Sequence, residues 1–338
     1  MKENFNYGLG YLRALLCFMV VYLHFGHDMR EPLHFIGMCA VPCFIMMSFF
    51  FTSGRVLEAD MRSQARRLLR FVYPLLAWGI ISVLLCLAAG DKLTARAVLE
   101  QLLLGMPHQD FILANHNFLD FPLWFEGSMI YTSLLLMAGA HCFRKLFPGL
   151  SHLCWLVPVM AAALICQYAS FVPWDEMTSK YHYVLLTLFF CLPYAGIGLL
   201  LARHKLLERL VPLRWKAVLI SAAGAAALAA WHAGQPSYMF YYGGLRLMVE
   251  SLLIFTIFYL SSLKLGGILG QAMMLMSEYS MGIYCVHWLV GSRLMELFPE
   301  LGQHLDGLGL CALIYAISLA IVLAIGSIKS PYAGRLVR

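Results

Sequence analysis

The chain reads as an all-α integral membrane protein: a polytopic helical bundle of about ten transmembrane helices, with both termini cytoplasmic. Three observations carry this expectation. Of 338 residues, 61% are hydrophobic and only 12% are charged, where a soluble domain carries about twice that charged fraction. Roughly ten stretches reach the length of about 20 apolar residues that a helix needs to cross a bilayer. Between those stretches, lysine and arginine alternate in density, as expected if positive residues are retained on the cytoplasmic side.

The expected spans, in order, are 7–26, 33–53, 70–89, 121–140, 152–170, 183–202, 217–233, 245–263, 279–297 and 307–327. The first follows Lys2 and resembles a secretory signal. However, Arg13 interrupts its apolar run and no small-residue cleavage site follows Phe25, so it reads as a retained span. Spans two and three flank Arg55, Arg62, Arg66, Arg67 and Arg70, and spans six and seven flank Arg203, Lys205, Arg209, Arg214 and Lys216. The segments placed outside hold only Arg30, Lys92, Arg96, Lys180 and Arg293. The formal net charge of +6 thus reflects topology, and no nucleic-acid partner is expected. Residues 1–338 read as one membrane domain in a lipid bilayer, with short loops.

The longest outer segment runs from Gly90 to Asp120. Its first half, "DKLTARAVLEQLLLG", has the pattern of an amphipathic helix lying on the membrane surface. Its second half, "MPHQDFILANHNFLDFP", reads as an irregular polar loop. The ten cysteines fall mostly inside apolar runs without a CxxC pair, which suggests buried structural thiols. No metal site is expected. His24 and His27 can share a face near His34, but no cysteine or carboxylate set closes a site around them.

Six ionisable residues lie within the expected spans: Arg13, His24, Glu126, Arg246, Glu250 and His287. Each is costly in hydrocarbon and should face the bundle interior or a wet cavity. Arg246 and Glu250, four apart, can neutralise one another on one helix face. His287 can satisfy itself on a backbone carbonyl. Glu126 is either a site residue or the partner of Arg246. Arg13 and His24 are eleven positions apart, which is three helical turns plus roughly 20°, so they share a face. The rise between them is roughly 16 Å, about half the hydrocarbon thickness. One helix face therefore presents a fixed positive charge toward the cytoplasm and, toward the outside, a group that exchanges protons near neutral pH. Arg66, Arg67 and Arg70 crowd the entry to the third span. Arginine suits phosphate because its planar fork binds oxygens in pairs, although the same residues also serve as ordinary positive-inside anchors.

An arginine, ten residues and a histidine in the first span resemble the signature of the membrane-bound acyltransferase 3 family. "AVPCFIMMSFFF" is similar to that family's second span, with Phe49 where a glycine often follows the serine. "RRLLRFVYPLLAW" resembles its arginine-rich third span, "FPLWFEGSMIY" its Leu-Trp-Phe span and "YSMGIYCVHWLV" its late Ile-Tyr…His span. The likeness runs in order from about residue 7 to residue 290. It implies an O-acyltransferase of envelope carbohydrates and related molecules, in the cytoplasmic membrane of a bacterium. It also implies that His24 is catalytic, that Arg13 belongs to the acyl-donor site and that Arg67 and Arg70 contact coenzyme A phosphates. Trp124 and His287 sit in matching segments without an assigned step. Glu126, Gly127 and Ser128 stand where some relatives have an arginine and an aspartate.

The expected reaction moves an acyl group, acetyl in the first instance, from cytoplasmic acetyl-CoA to a hydroxyl of an envelope carbohydrate or glycolipid. No permanently bound cofactor is expected. The nucleotide end would rest on Arg66, Arg67 and Arg70, with the pantetheine arm threading past Arg13 to bring the thioester to His24. His24 would act as general base, its tautomer held by Asp28 or Glu126, or would carry the acyl group transiently. Trp124, Arg246, Glu250 and His287 are further candidates for the cavity. A transporter or flippase of an envelope precursor is the alternative reading, and inverted repeats would favour it. A non-catalytic membrane partner with polar residues as interhelical glue is a third.

Overall fold

The computed structural model describes residues 6–26, 32–58, 61–88, 90, 92–105, 123–168, 182–233 and 245–337. Asp28 and the polar segment 106–122 lie outside the described residues. The described chain is all-helical: α1 (Tyr7–Phe25), α2 (Pro32–Met38), α3 (Ala40–Glu58), α4 (Met61–Ala88), α5 (Ala95–Leu104), α6 (Trp124–Leu146), α7 (Leu153–Tyr168), α8 (His182–Arg203), α9 (Leu206–Leu210), α10 (Arg214–Ala233), α11 (Leu245–Ser261), α12 (Gly267–Glu278), α13 (Ser280–Leu297), α14 (Leu301–His304), α15 (Gly307–Ser327) and α16 (Pro331–Val337).

Among the described residues every expected span coincides with a helix. Five segments, Tyr7–Phe25, Leu33–Glu58, Ala65–Ala88, Leu206–Trp231 and Gly307–Ser327, are long and apolar enough to cross a membrane. The remainder are shorter or carry charge: α11 has 17 residues and α6 ends on Arg144 and Lys145. Two segments depart from the expected spans. The second span is split at Cys39, where α2 meets α3. The segment after Ser261 forms α12, a 12-residue helix that falls between the expected spans 245–263 and 279–297. The amphipathic stretch is a helix as expected. Thr94 Oγ1 caps α5 by accepting from Ala97 N–H at 3.1 Å, and Gly105 ends it in the left-handed region at φ 78°. That helix buries Ala97 and Gln101 and exposes Leu99 and Leu103.

Specific contacts fix the helix directions. Cys17 lies on the Ser280 carbonyl at 3.4 Å and the rings of His24 and His287 are 5.3 Å apart, so α1 and α13 run parallel. Phe18 meets Tyr315 and the Cys311 thiol donates to the Val21 carbonyl, which sets α15 antiparallel to α1. Asn6 and Tyr11 bond the chain at Tyr259 and Leu265, placing the start of α1 beside the end of α11. Cys43 with Ser251 and Phe50 with Phe255 make α3 and α11 parallel. Arg203 pairs with Glu58 where α8 and α3 end together. One end of the bundle therefore collects Arg55, Arg62, Arg66, Arg67, Arg70, Arg144, Lys145, Arg203 and Lys205. We call this the basic end. His24, Glu126 and His287 lie toward the other.

The core is built from Leu12, Leu16, Met19, Ile45, Met46, Phe49, Tyr194 and Phe255, all essentially inaccessible. Small residues allow close backbone approach where helices cross. A Cβ at Gly8 would collide with the Phe258 carbonyl oxygen, and one at Gly198 with that of Met46. Backbone cannot step aside as a flexible side chain can. Gly8→Ala is therefore expected to cost about 1–3 kcal/mol by overpacking, read as a lower unfolding temperature in detergent. Gly54→Ala has nothing within 4 Å of the added carbon and is expected to leave that temperature unchanged or slightly raised.

Candidate functional site at the ends of one helix bundle

Two polar centres lie inside the bundle. The first is Arg67. The three arginines at the start of α4 part company in the structure: Arg66 and Arg70 are exposed, whereas Arg67 is turned inward and is only 5% exposed. Its Nη1 donates to Ser133 Oγ at 3.2 Å and its Nη2 to Ser48 Oγ at 3.4 Å. The guanidinium lies over the Phe49 ring, 4.6 Å from the centroid. Its Nε has no partner among the described residues. The charges acting on it are those of Arg55 and Arg70, both positive. Two neutral hydroxyls and a ring thus hold a cation for which the described residues offer no carboxylate. A buried charge without a counter-charge costs several kcal/mol, and a desolvated cation–π contact returns only about 2 kcal/mol.

Arg13 is the second cation of this kind. It lies half-buried on α1, one turn before the neutral Cys17 thiol, and no ion pair with a carboxylate is found for it among the described residues. Arg246 shows the contrasting arrangement. Its Nε is 3.1 Å from Glu250 Oε1, the i,i+4 pair expected from spacing, and its guanidinium also lies over Trp231. Glu250 is buried and Arg246 partly exposed.

The other centre gathers around α13. His24 on α1 packs against the His287 ring and against Trp288, each with centroids 5.3 Å away. His287 is fully buried. Its Nδ1 lies 2.7 Å from the Tyr284 carbonyl and 3.3 Å from that of Ile283. A carbonyl only accepts, so Nδ1 carries the proton and Nε2 presents a bare lone pair. That Nε2 has no partner among the described residues. Glu126, also fully buried, accepts from the Cys285 thiol through Oε1 at 3.6 Å, while Oε2 has no partner among the described residues. The hydrogen-bond partner of Glu126 is thus Cys285 rather than His24 or Arg246. Trp124 lies one helical turn before Ser128, whose hydroxyl bonds to the Trp124 carbonyl, and its ring faces Phe125 and Phe190.

The two centres share α6. Seven residues separate Glu126 from Ser133, which contacts Arg67, a rise of roughly 10 Å. The interior therefore holds a buried cation toward the basic end and imidazole, carboxyl and indole groups farther along. Sequence reasoning missed Ser48, Ser133, Cys285 and Trp288. Trp288 had a signal, since it adjoins His287 in "CVHWLV". Ser48 had one too, as the serine that precedes Phe49 in the second-span motif, and Ser133 had none.

Residues 6–327 match the family model described as an acyltransferase domain, acyltransferase 3. The chain belongs to the acyltransferase 3 family. It is an acyltransferase of the O-acyltransferase-like kind, and its apolar helices make it a membrane protein. No curated protein and no solved structure matches it.

Proposed function

We propose that this acyltransferase moves an acetyl group from cytoplasmic acetyl-CoA to a hydroxyl of a cell-envelope carbohydrate or glycolipid, from within a bacterial cytoplasmic membrane. The observation that carries the reading is Arg67, a cation buried at the basic end with no carboxylate among the described residues to answer it. The partner that such a group lacks is an anion, and the phosphates of coenzyme A supply one. In this reading the basic end faces the cytoplasm, as the positive-inside rule directs, and Arg66 and Arg70 hold the solvated part of the nucleotide.

The pantetheine arm is thin enough to pass between helices and extends past Arg13 toward His24. The acceptor hydroxyl attacks the thioester carbonyl as His24 takes its proton. A carbon–oxygen ester bond forms and the carbon–sulfur bond breaks. The proton held by His24 then passes to the departing thiolate, which leaves as coenzyme A. Trp288 and His287, packed on the His24 ring, hold the imidazole in place. The face shared by Arg13 and His24 supports this route, because its length suits delivery of a thioester across about half the bilayer.

The test is to supply membranes containing the protein with acetyl-CoA radiolabelled in the acetyl group, then to separate envelope carbohydrate, glycolipid and protein. Label that enters a carbohydrate or glycolipid fraction, and is released by mild alkali as an ester is, supports the proposal. Label found only in protein, or in no fraction, contradicts the acceptor class.

A further inference from the structure

The reaction above needs only one base, yet a second imidazole stands against the first. His287 is fully buried, and its Nδ1–H is committed to the Tyr284 carbonyl at 2.7 Å. The commitment fixes the tautomer, so the Nε2 of His287 can only accept. A buried acceptor without a donor is costly and rare in folded proteins. At this position it lies in a residue whose ring packs on that of His24. The Trp288 indole packs on the same His24 ring and Phe25 closes behind it, 5.6 Å from Trp288. Such a corner has an aromatic wall and, in the His287 Nε2, an acceptor that no donor among the described residues meets. A sugar or other polyol brings what is missing: hydroxyl donors on a carbon skeleton with apolar faces.

We propose that His287 is an acceptor-binding residue, its Nε2 receiving a hydrogen bond from a hydroxyl of the polyol next to the hydroxyl that His24 deprotonates. The proposal rests on the acyl-transfer reading for the identity of the neighbouring reaction. It adds that the acceptor must offer at least two nearby hydroxyls, so a simple alcohol is a poor substitute. His287 undergoes no net chemical change. The attacking hydroxyl loses its proton to His24, and the hydroxyl on His287 keeps its own.

The experiment uses the full chain in lipid nanodiscs with ¹⁵N-labelled histidine, and methyl α-glucopyranoside as the polyol probe. The His287 signals are assigned by their loss in His287→Asn. That variant can still direct an amide N–H to the Tyr284 carbonyl but has no atom in the place of Nε2. The proposal expects an unprotonated Nε2 resonance in the free protein that moves upfield on addition of the glycoside. It also expects His287→Asn to raise the KM for glycoside acetylation about tenfold, the value of one hydrogen bond, with unchanged acetyl-CoA affinity. A purely structural role for His287 would lower stability and shift both substrates together. An Nε2 resonance that stays in place, or a KM unchanged in His287→Asn, overturns the proposal. Should wild-type protein fail to bind acetyl-CoA, the acyl-donor reading falls, while the Nε2 shift still decides whether His287 takes a hydroxyl.

Discussion

Replacing His24 with Ala is expected to remove most acyl transfer and to leave acetyl-CoA binding close to wild type, if His24 is the base and acetyl-CoA the donor as proposed. General-base catalysis by a positioned side chain contributes about 10²–10⁴-fold, so transfer in the variant falls by at least that lower figure. Donor affinity is expected to survive because the proposal places the anionic end of acetyl-CoA elsewhere. Arg67 lies beside Ser133, two turns of α6 from Glu126, and Arg13 lies roughly 16 Å from His24 along α1. The measurement is a pair of assays on one preparation: label transfer from acetyl-CoA and equilibrium acetyl-CoA binding in nanodiscs. Transfer that persists in His24→Ala at the wild-type rate refutes the catalytic assignment. Loss of both properties together points to a structural role, and His24→Gln, which keeps the bulk against Trp288, separates that outcome.

Arg67→Ala has the opposite signature. Acetyl-CoA affinity is expected to fall by about 10–100-fold, the value of one or two hydrogen bonds to a charged group, with the fold no less stable. The second half of this prediction is the more telling. A buried cation with only Ser48, Ser133 and Phe49 around it is a burden on folding, and removing it relieves a desolvation cost. Arg246→Ala behaves in reverse, since it leaves Glu250 buried without its partner. That change is expected to cost about 3 kcal/mol, the low end for a broken buried pair because Arg246 is itself partly exposed. Thermal unfolding of the two variants side by side in one detergent reads the contrast. Arg67→Lys should not restore affinity, because a point charge lacks the planar fork that binds phosphate oxygens in pairs.

What the sequence made legible was what depends on local spacing. Apolar length located the helices, the i,i+4 spacing located the pair Arg246 and Glu250, and the eleven-residue interval placed Arg13 and His24 on one face. What it left hidden depends on which face turns inward. Arg66, Arg67 and Arg70 are near neighbours on one helix, yet only Arg67 is buried. The packing of α3 and α6 decides that, through Ser48 and Ser133. The partner of Glu126 is Cys285, 159 positions away, and neither residue carries a pattern that announces the other. The short helix α12 falls between the expected spans 245–263 and 279–297, because a search for bilayer-length apolar stretches passes over 12 residues. Phe49 is a case where a departure from the family pattern acquires a physical role, as its ring supports the Arg67 guanidinium.

The most direct test of the central claim is equilibrium binding of acetyl-CoA to the wild-type protein in lipid nanodiscs, with free coenzyme A as competitor. The account predicts saturable binding at one site per chain, displaced by coenzyme A and weakened in Arg67→Ala. Absence of binding by well-folded wild-type protein would contradict it, and the buried arginine would then need a different anion.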